Sequence, residues 1–232
     1  MGVIFDFGDT LLHYASADWT AGCKKLLDLA DDSRGITPKE VKSLSDEMSH
    51  EVFTARLNSA IELHYDDFIR LLCETLGISL NVSYAEAAQQ MWHASIVYEP
   101  VPGIFGILQR LQSSGVKMGI LSNSVFSGSV LREELAKQRM DIFFSFVISS
   151  ADYGLGKPHH RITELAVKKM GFPAHDIWLV GDKLDYDVRG ALSCGLFPVW
   201  FNAAKATGKL AGDYIEVENW AQFEEKIGPL LD

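Results

Sequence analysis

The sequence predicts an α/β protein in which a parallel sheet core carries an all-helical insertion. Three observations lead to this prediction. The chain opens on a short apolar run that fits a buried strand, GVIFDF. Helical periodicity then continues from Ala15 to about Val97. Beyond EPVPG, at residues 99–103, short apolar runs alternate with helical patterns, as in parallel sheets whose strands are buried on both faces.

The helical stretch is predicted to form a unit of four helices. Its second helix begins with a capping box, in which Thr37 is the expected N-cap and Glu40 lies three residues on. Its third helix has an apolar stripe that ends at Gly77 and consists of Phe68, Leu71, Leu72 and Leu76. The motif SYAE repeats the capping box before the fourth helix. We therefore expect a helical domain at residues 14–97, inserted into a core of residues 1–13 and 98–232.

Four later apolar runs are predicted to join the first strand in one sheet: VKMGILS, FSFVISS, IWLVGD and LFPVW. In open parallel sheets, ligands bind outside the carboxyl ends of the strands. The residues that follow each predicted strand are therefore the candidates for a functional site.

Composition excludes several classes of function. The net charge is −10, with 31 acidic against 21 basic residues, which argues against partners such as nucleic acid or anionic membrane that bind clustered cations. The three cysteines are far apart and lack metal-ligand spacing, so they are expected to be free thiols. No signal peptide or membrane-spanning stretch is recognised, and the predicted location is the cytoplasm.

Polar residues of complementary chemistry follow the predicted strands. In chain order they are Asp6, Ser122 with Asn123, Lys157, and Asp182 with Asp187. Two carboxylates can hold one Mg²⁺ ion, while a hydroxyl, backbone N–H groups and a lysine can hold a phosphate. A central carboxylate can attack phosphorus. Each residue alone also fits a structural role, and the combination at successive strand ends favours a site.

These motifs resemble those of the haloacid dehalogenase-like hydrolase superfamily over nearly the whole chain. VIFDFGDTLL matches its first motif, ILSNS its second, Lys157 of GLGKP its third, and GDKLDYDVRGA its fourth. The resemblance implies a three-layer, Rossmann-like α/β core with an inserted all-α helical cap of the first type. It also implies a Mg²⁺-dependent enzyme that acts on a small phosphorylated molecule through an aspartyl-phosphate.

Carried over by position, the resemblance assigns a role to each strand-end residue. Asp6 would be the nucleophile and a metal ligand. The backbone carbonyl of Gly8 and the carboxylate of Asp182 would be further ligands, and Asp187 would support the metal or bind it through water. The phosphoryl oxygens would be held by Ser122, the Asn123 amide and Lys157. Because Lys157 is expected in a loop, its replacement should weaken anion binding and change stability little.

The first motif departs from the family pattern. Phosphatases of the family read Asp-x-Asp-Gly-Thr, and the second Asp is the general acid/base. Here Gly8 stands at that position and Asp9 stands where the Gly is usual. In an extended segment, positions an odd number apart face opposite sides, so Asp9 should point away from the side that Asp6 faces. We expect metal and phosphate binding to be intact and proton transfer to be compromised, which favours substrates whose leaving group needs no proton.

Three alternatives remain open at the level of sequence. Gly8 favours a non-catalytic phosphometabolite-binding or regulatory protein, whereas a retained nucleophile at Asp6 favours an enzyme. A phosphonate-cleaving branch of the superfamily uses a cap lysine, for which Lys39 and Lys42 are weak candidates because they fit a helix surface. The dehalogenase branch attacks carbon without Mg²⁺, and the acidic residues of GDKLDYD disfavour it. The substrate and the oligomeric state are not predicted.

Overall fold

The structure is a computed structural model that describes residues 1–57 and 60–230. The chain forms two compact units. The larger comprises Met1–His13 with Glu99–Asp232, and the smaller comprises Tyr14–Tyr98. That the smaller unit acts as a cap stays a prediction.

The strands, in chain order, are β1 (Gly2–Phe5), β2 (Leu12–Ala17), β3 (Ile96–Pro100), β4 (Lys117–Ser122), β5 (Val147–Ser149), β6 (Ile177–Gly181), β7 (Phe197–Phe201) and β8 (Ile215–Val217). The α-helices are α1 (Trp19–Asp28), α2 (Pro38–Leu57), α3 (Tyr65–Leu76), α4 (Tyr84–Ser95), α5 (Ile104–Ser113), α6 (Gly128–Lys137), α7 (His160–Met170), α8 (Arg189–Ser193) and α9 (Trp220–Ile227).

The larger unit is built on a six-stranded sheet in the order β5-β4-β1-β6-β7-β8, and its paired strands run parallel. Strand β1 is central, with Phe5 aligned to Ile120 of β4 and to Val180 of β6. The predicted α/β class is therefore confirmed. The three residues of β8 had no recognisable strand pattern, because a run this short shows too little periodicity.

Helices cover both faces of this sheet, which gives three layers. Ile4 packs with Ile162 and Ala166 of α7 in one buried cluster. Its neighbour Phe5 faces the opposite way, with its ring 6.0 Å from that of Trp220 on α9. Successive residues of a strand point to opposite faces, so this central strand is apolar throughout.

The smaller unit contains helices α1 to α4 among its described residues, with α1 packed against α2 and α4 and with α3 packed against α4. A Cβ atom at Gly22 of α1 would lie only 1.9 Å from the Ser95 hydroxyl, so glycine permits the close approach of α1 to α4. The predicted apolar stripe of α3 was wrong at Leu71, which is 49% exposed. Phe68 and Leu72 lie on the buried face of that helix.

Two short strands correct the prediction of continuous helix in this region. β2 and β3 form a separate two-stranded sheet at the segments that join the two units. In β3 the side chains of Ile96 and Tyr98 are buried while those of Val97 and Glu99 are not, which is a two-residue period. Five residues of this alternation were too few to stand out beside the helical pattern of α4.

Cys23 and Cys73 are buried free thiols and Cys194 is a half-buried one, as the cysteine spacing predicts. Among the described residues, no helix combines the length and the apolar character that a bilayer span requires.

Candidate active site

Three of the predicted site residues lie at the carboxyl ends of adjacent strands. Asp6 directly follows β1, Ser122 is the last residue of β4, and Asp182 directly follows β6. Because β1 lies between β4 and β6, these residues meet at one end of the sheet. The backbone N–H of Asp6 donates to the Val180 carbonyl at 2.8 Å. The backbone pairing of β1 with β6 therefore continues as far as Asp6.

Lys157 joins these strand ends through its ammonium group. Its Nζ lies 2.7 Å from Asp6 Oδ1, 2.5 Å from Asp187 Oδ1 and 2.7 Å from the Leu121 carbonyl oxygen. The residue is only 2% exposed. Burial by itself lowers the pKa of this ammonium. The carboxylates of Asp187 and Asp6 together raise the pKa by more than burial lowers it, so it lies above the usual range.

Lys157 lies in the turn before α7, as predicted, but its burial argues against the expectation that replacing it changes stability little. Removing one partner of a buried ion pair leaves the remaining charge without compensation. We expect Lys157→Met, which keeps the apolar stem, to lower the free energy of unfolding by about 3–5 kcal/mol in metal-free urea denaturation. Lys168→Met, on the exposed side of α7, is the matched control and should stay within about 0.5 kcal/mol of wild type. Equal stability of the two variants would contradict the ion-pair account.

The segment that carries Lys157 is held by the side chain of Asn123. Asn123 Nδ2 donates to the Lys157 carbonyl at 2.8 Å, and the Lys157 N–H donates to Asn123 Oδ1 at 2.6 Å. This reciprocal pair ties the junction after β4 to the junction before α7. The side-chain amide of Asn123 therefore positions the lysine, a role that its place in the second motif did not indicate.

Asp187 approaches the cluster through a π-helical turn at Leu184–Val188, which leads into α8. Its Oδ2 accepts a hydrogen bond from the Lys183 N–H at 2.9 Å, while its Oδ1 accepts from Lys157. A Cβ atom at Gly181 would lie 2.2 Å from the carboxyl carbon of Asp187. Glycine at the end of β6 is therefore required for Asp187 to reach this position.

The carboxylates of Asp6, Asp182 and Asp187 form one cluster, with an oxygen from each lying within 4.8 Å of the others. Burial raises the pKa of Asp6 to about 7; Lys157 opposes this shift, and the charges of Asp187 and Asp182 add to it. Burial also raises the pKa of Asp182, against the opposing hydrogen bond from the Lys183 side chain. In the described part of the chain, three carboxylates in this cluster face only two ammonium groups, those of Lys157 and Lys183.

The donor set fits a small divalent cation with oxygen ligands. An octahedral Mg²⁺ ion with Mg–O distances of about 2.1 Å places its ligand oxygens at most about 4.2 Å apart. The three oxygens lie within 4.8 Å of one another, a separation that suits one shared ion when one of the ligands binds through water. Asp187 is suited to the water-mediated place, because both of its oxygens already accept hydrogen bonds.

The turn after Asp6 uses Asp9, rather than Gly8, as its left-handed residue. Asp9 has φ 54°, and its N–H donates to the Leu12 carbonyl at 2.8 Å. Aspartate tolerates this conformation better than most residues, which explains how it replaces the usual glycine. A Cβ atom built at Gly8 meets nothing within 4 Å. The Asp9 side chain is exposed; burial is the main cause of the raised pKa of Asp182, and the charge of Asp9 adds a minor part.

Sequence reasoning missed two residues that support Asp182. The Lys183 ammonium contacts the Asp182 carboxylate, and the Trp200 indole N–H donates to the Asp182 carbonyl at 3.0 Å. Lys183 directly follows Asp182, so its sequence position could have drawn attention to it. Trp200 gave no such signal, because its apolar run indicates only a strand.

A family model described as haloacid dehalogenase-like hydrolase matches residues 3–200. The chain therefore belongs to the haloacid dehalogenase-like hydrolases and is an enzyme of the hydrolase class. The resemblance drawn from the four motifs is thereby confirmed at the level of the superfamily.

Relatives in this family carry two kinds of names. A glyceraldehyde 3-phosphate phosphatase of Methanocaldococcus jannaschii is 24% identical over 200 residues, which cover 85% of this chain and 83% of that protein. An (S)-2-haloacid dehalogenase of Pseudomonas fluorescens is 33% identical over 138 residues, or 59% of this chain and 58% of that protein. The solved structure of a HAD phosphatase from Thermococcus onnurineus has a TM-score of 0.70 at 22% identity, covering 98% of this chain and 97% of that one, which shows the fold alone.

Proposed function

We propose that this hydrolase is a Mg²⁺-dependent phosphatase that acts on a small phosphorylated molecule through an aspartyl-phosphate on Asp6. The observation that carries the proposal is the buried arrangement of Asp6 and Lys157 beside the carboxylates of Asp182 and Asp187. The similarity to a protein named as a phosphatase over 85% of the chain supports the same reaction class.

Asp6 supplies the nucleophilic oxygen in this proposal. One carboxylate oxygen bonds to phosphorus while the bond from phosphorus to the leaving-group oxygen breaks, and water later cleaves the acyl phosphate. The Lys157 ammonium offsets the charge that Asp6 and the phosphoryl group bring together. The Ser122 hydroxyl and the Asn123 backbone N–H hold the phosphoryl oxygens, since the Asn123 side chain is engaged with Lys157.

The residues that would hold Mg²⁺ are Asp6, the Gly8 carbonyl, Asp182 and, through water, Asp187. The bound ion would supply charge that stabilises the phosphoryl oxygens during transfer. The meeting of three carboxylates at this place supports a bound cation. The same three carboxylates disfavour the metal-free dehalogenase branch of the superfamily.

Gly8 shapes the substrate preference within this proposal. With no acid at position 8, nothing fixed protonates the departing oxygen, so the enzyme favours leaving groups that depart as stable anions. The non-catalytic alternative also rests on Gly8, but a binding protein has no need of a buried nucleophile with a lysine held against it. A role of the helical unit as a cap domain and a cytoplasmic location remain part of the proposal.

The dependence on Mg²⁺ tests the proposal directly. We expect slow hydrolysis of 4-nitrophenyl phosphate with Mg²⁺ and none in chelator. At about ten times its Kd, Mg²⁺ should raise Tm by about 3–5 °C, because it binds the folded state alone. Asp182→Asn should remove both effects, whereas Asp213→Asn, at an exposed position that is not part of the carboxylate cluster, should keep both. Undiminished hydrolysis in chelator would refute the proposed metal dependence.

A further inference from the structure

The backbone carbonyl of Asp182 lies just beyond the pairing of β6 with β7. The last aligned pair of these two strands is Gly181 with Trp200, and Asp182 follows directly. The donor to the Asp182 carbonyl is a side chain, the indole N–H of Trp200, at 3.0 Å. A side chain of β7 therefore holds the backbone of a proposed metal ligand at the point where the strand pairing ends.

The indole ring of Trp200 has little freedom to move. The residue is 2% exposed, and its strand is paired on both sides, with β6 and with β8. The ring of Tyr214 packs against it in a T-shaped contact, with ring centroids 6.3 Å apart. With so little exposed surface Trp200 offers nothing to a substrate, so its effect on the site passes through Asp182.

The turn from Asp182 to Asp187 is attached to the rest of the site at both ends. At Asp187 the attachment is the ion pair with Lys157, at 2.5 Å. At Asp182 it is the hydrogen bond from Trp200. Between the two ends, Lys183 and Asp187 exchange hydrogen bonds that keep the turn together. Loss of the indole donor would leave Asp182 free to shift relative to the other carboxylates of the cluster.

We infer that Trp200 is a positioning residue for the proposed Mg²⁺ site: its indole N–H holds Asp182 within reach of the carboxylates with which it would share one ion. The inference rests on the proposed metal-dependent function. Hydrogen bonds that orient a ligand-bearing residue commonly change metal affinity by about 10- to 100-fold when they are removed. Because Trp200 contacts the backbone of Asp182 rather than its carboxylate, we expect the lower end of this range, about tenfold.

Trp200→Phe tests the inference, because it keeps an aromatic ring in the core and removes the N–H donor. When the protein is titrated with Mg²⁺ alone in a calorimeter, the Kd of this variant should be about tenfold higher than that of wild type. Trp220→Phe is the matched control, since Trp220 is 1% exposed and its indole N–H has no hydrogen-bond partner within residues 1–57 and 60–230. It makes the same change of ring in the core and should keep the wild-type Kd.

Amide hydrogen exchange in the metal-free protein separates positioning from a general loss of packing. In Trp200→Phe the Lys183 N–H, which donates to Asp187, should exchange about tenfold faster, because the turn opens more often. The Asp6 N–H, which donates to the Val180 carbonyl, should change no more than it does in Trp220→Phe.

An unchanged Kd for Mg²⁺ in Trp200→Phe would overturn the inference and leave the proposed function intact, as would unchanged exchange at Lys183. A protein whose Mg²⁺ affinity depends on Trp200 but that hydrolyses no phosphate ester keeps the inference and loses the phosphatase function. Failure of the wild-type protein to bind Mg²⁺ would overturn both.

Discussion

Asp6→Asn is expected to abolish Mg²⁺-dependent hydrolysis of 4-nitrophenyl phosphate, with a loss of at least about a thousandfold in kcat, because an amide cannot form the acyl phosphate. Folding should be retained. Burial raises the pKa of Asp6 above its unfolded value, so ionised Asp6 destabilises the metal-free folded state near neutral pH, and the neutral Asn avoids that cost. Stopped assays of nitrophenol release, with the free energy of unfolding from urea denaturation, measure both properties.

Asp213→Asn is the matched control for this variant, since it makes the same chemical change at an exposed position. It should retain wild-type kcat. Mass spectrometry of the acid-quenched enzyme should detect a phosphoryl adduct on wild-type protein and none on Asp6→Asn. Turnover that survives in Asp6→Asn would rule out Asp6 as the nucleophile.

Restoring the usual order of the first motif should give the second large effect. In Gly8→Asp with Asp9→Gly, turnover of an alkyl phosphate should rise by part of the roughly 10²–10⁴-fold that general acid/base catalysis contributes. The structure permits the exchange, because a Cβ atom at Gly8 meets nothing within 4 Å and glycine suits the left-handed φ of residue 9. Hydrolysis of an aryl phosphate should change much less, since its leaving group needs no proton.

The single variant Asp9→Asn distinguishes this account from one in which Asp9 itself is the acid. Asparagine tolerates the left-handed conformation at this position as aspartate does, so the turn should be preserved. We expect alkyl and aryl phosphates to be hydrolysed at nearly wild-type rates. A selective loss of alkyl phosphate turnover would assign the acid/base role to Asp9.

The fold was predictable because its signals are local and repeated. Apolar runs such as that of β6 indicate strands. Parallel strands bring Asp6 and Asp182 to one end of the sheet, and this result does not depend on how the helices pack. The burial of Lys157 could not be predicted in this way. It depends on a contact between Asn123 and the backbone of a segment that is distant in sequence, and no local pattern reports such a contact.

Surface and edge features escaped prediction for a related reason. Leu71 has the hydrophobicity and nearly the spacing of its buried neighbours, and only the packing of α3 determines which side of the helix faces solvent. Strands β2 and β3 are too short for their alternation to compete with the adjoining helical pattern. In such segments, tertiary packing determines the secondary structure and the buried face, and local sequence preference alone does not.

The clamp between Asn123 and Lys157 has a consequence for how this chain can diverge. The two residues are 34 positions apart, and their reciprocal hydrogen bonds close the intervening segment into a loop with fixed ends. Exposed positions of α6 can therefore be substituted without shifting the lysine against the end of β4, whereas β5 is constrained by its own pairing with β4. Homologues that lose this asparagine should hold the lysine segment by another contact.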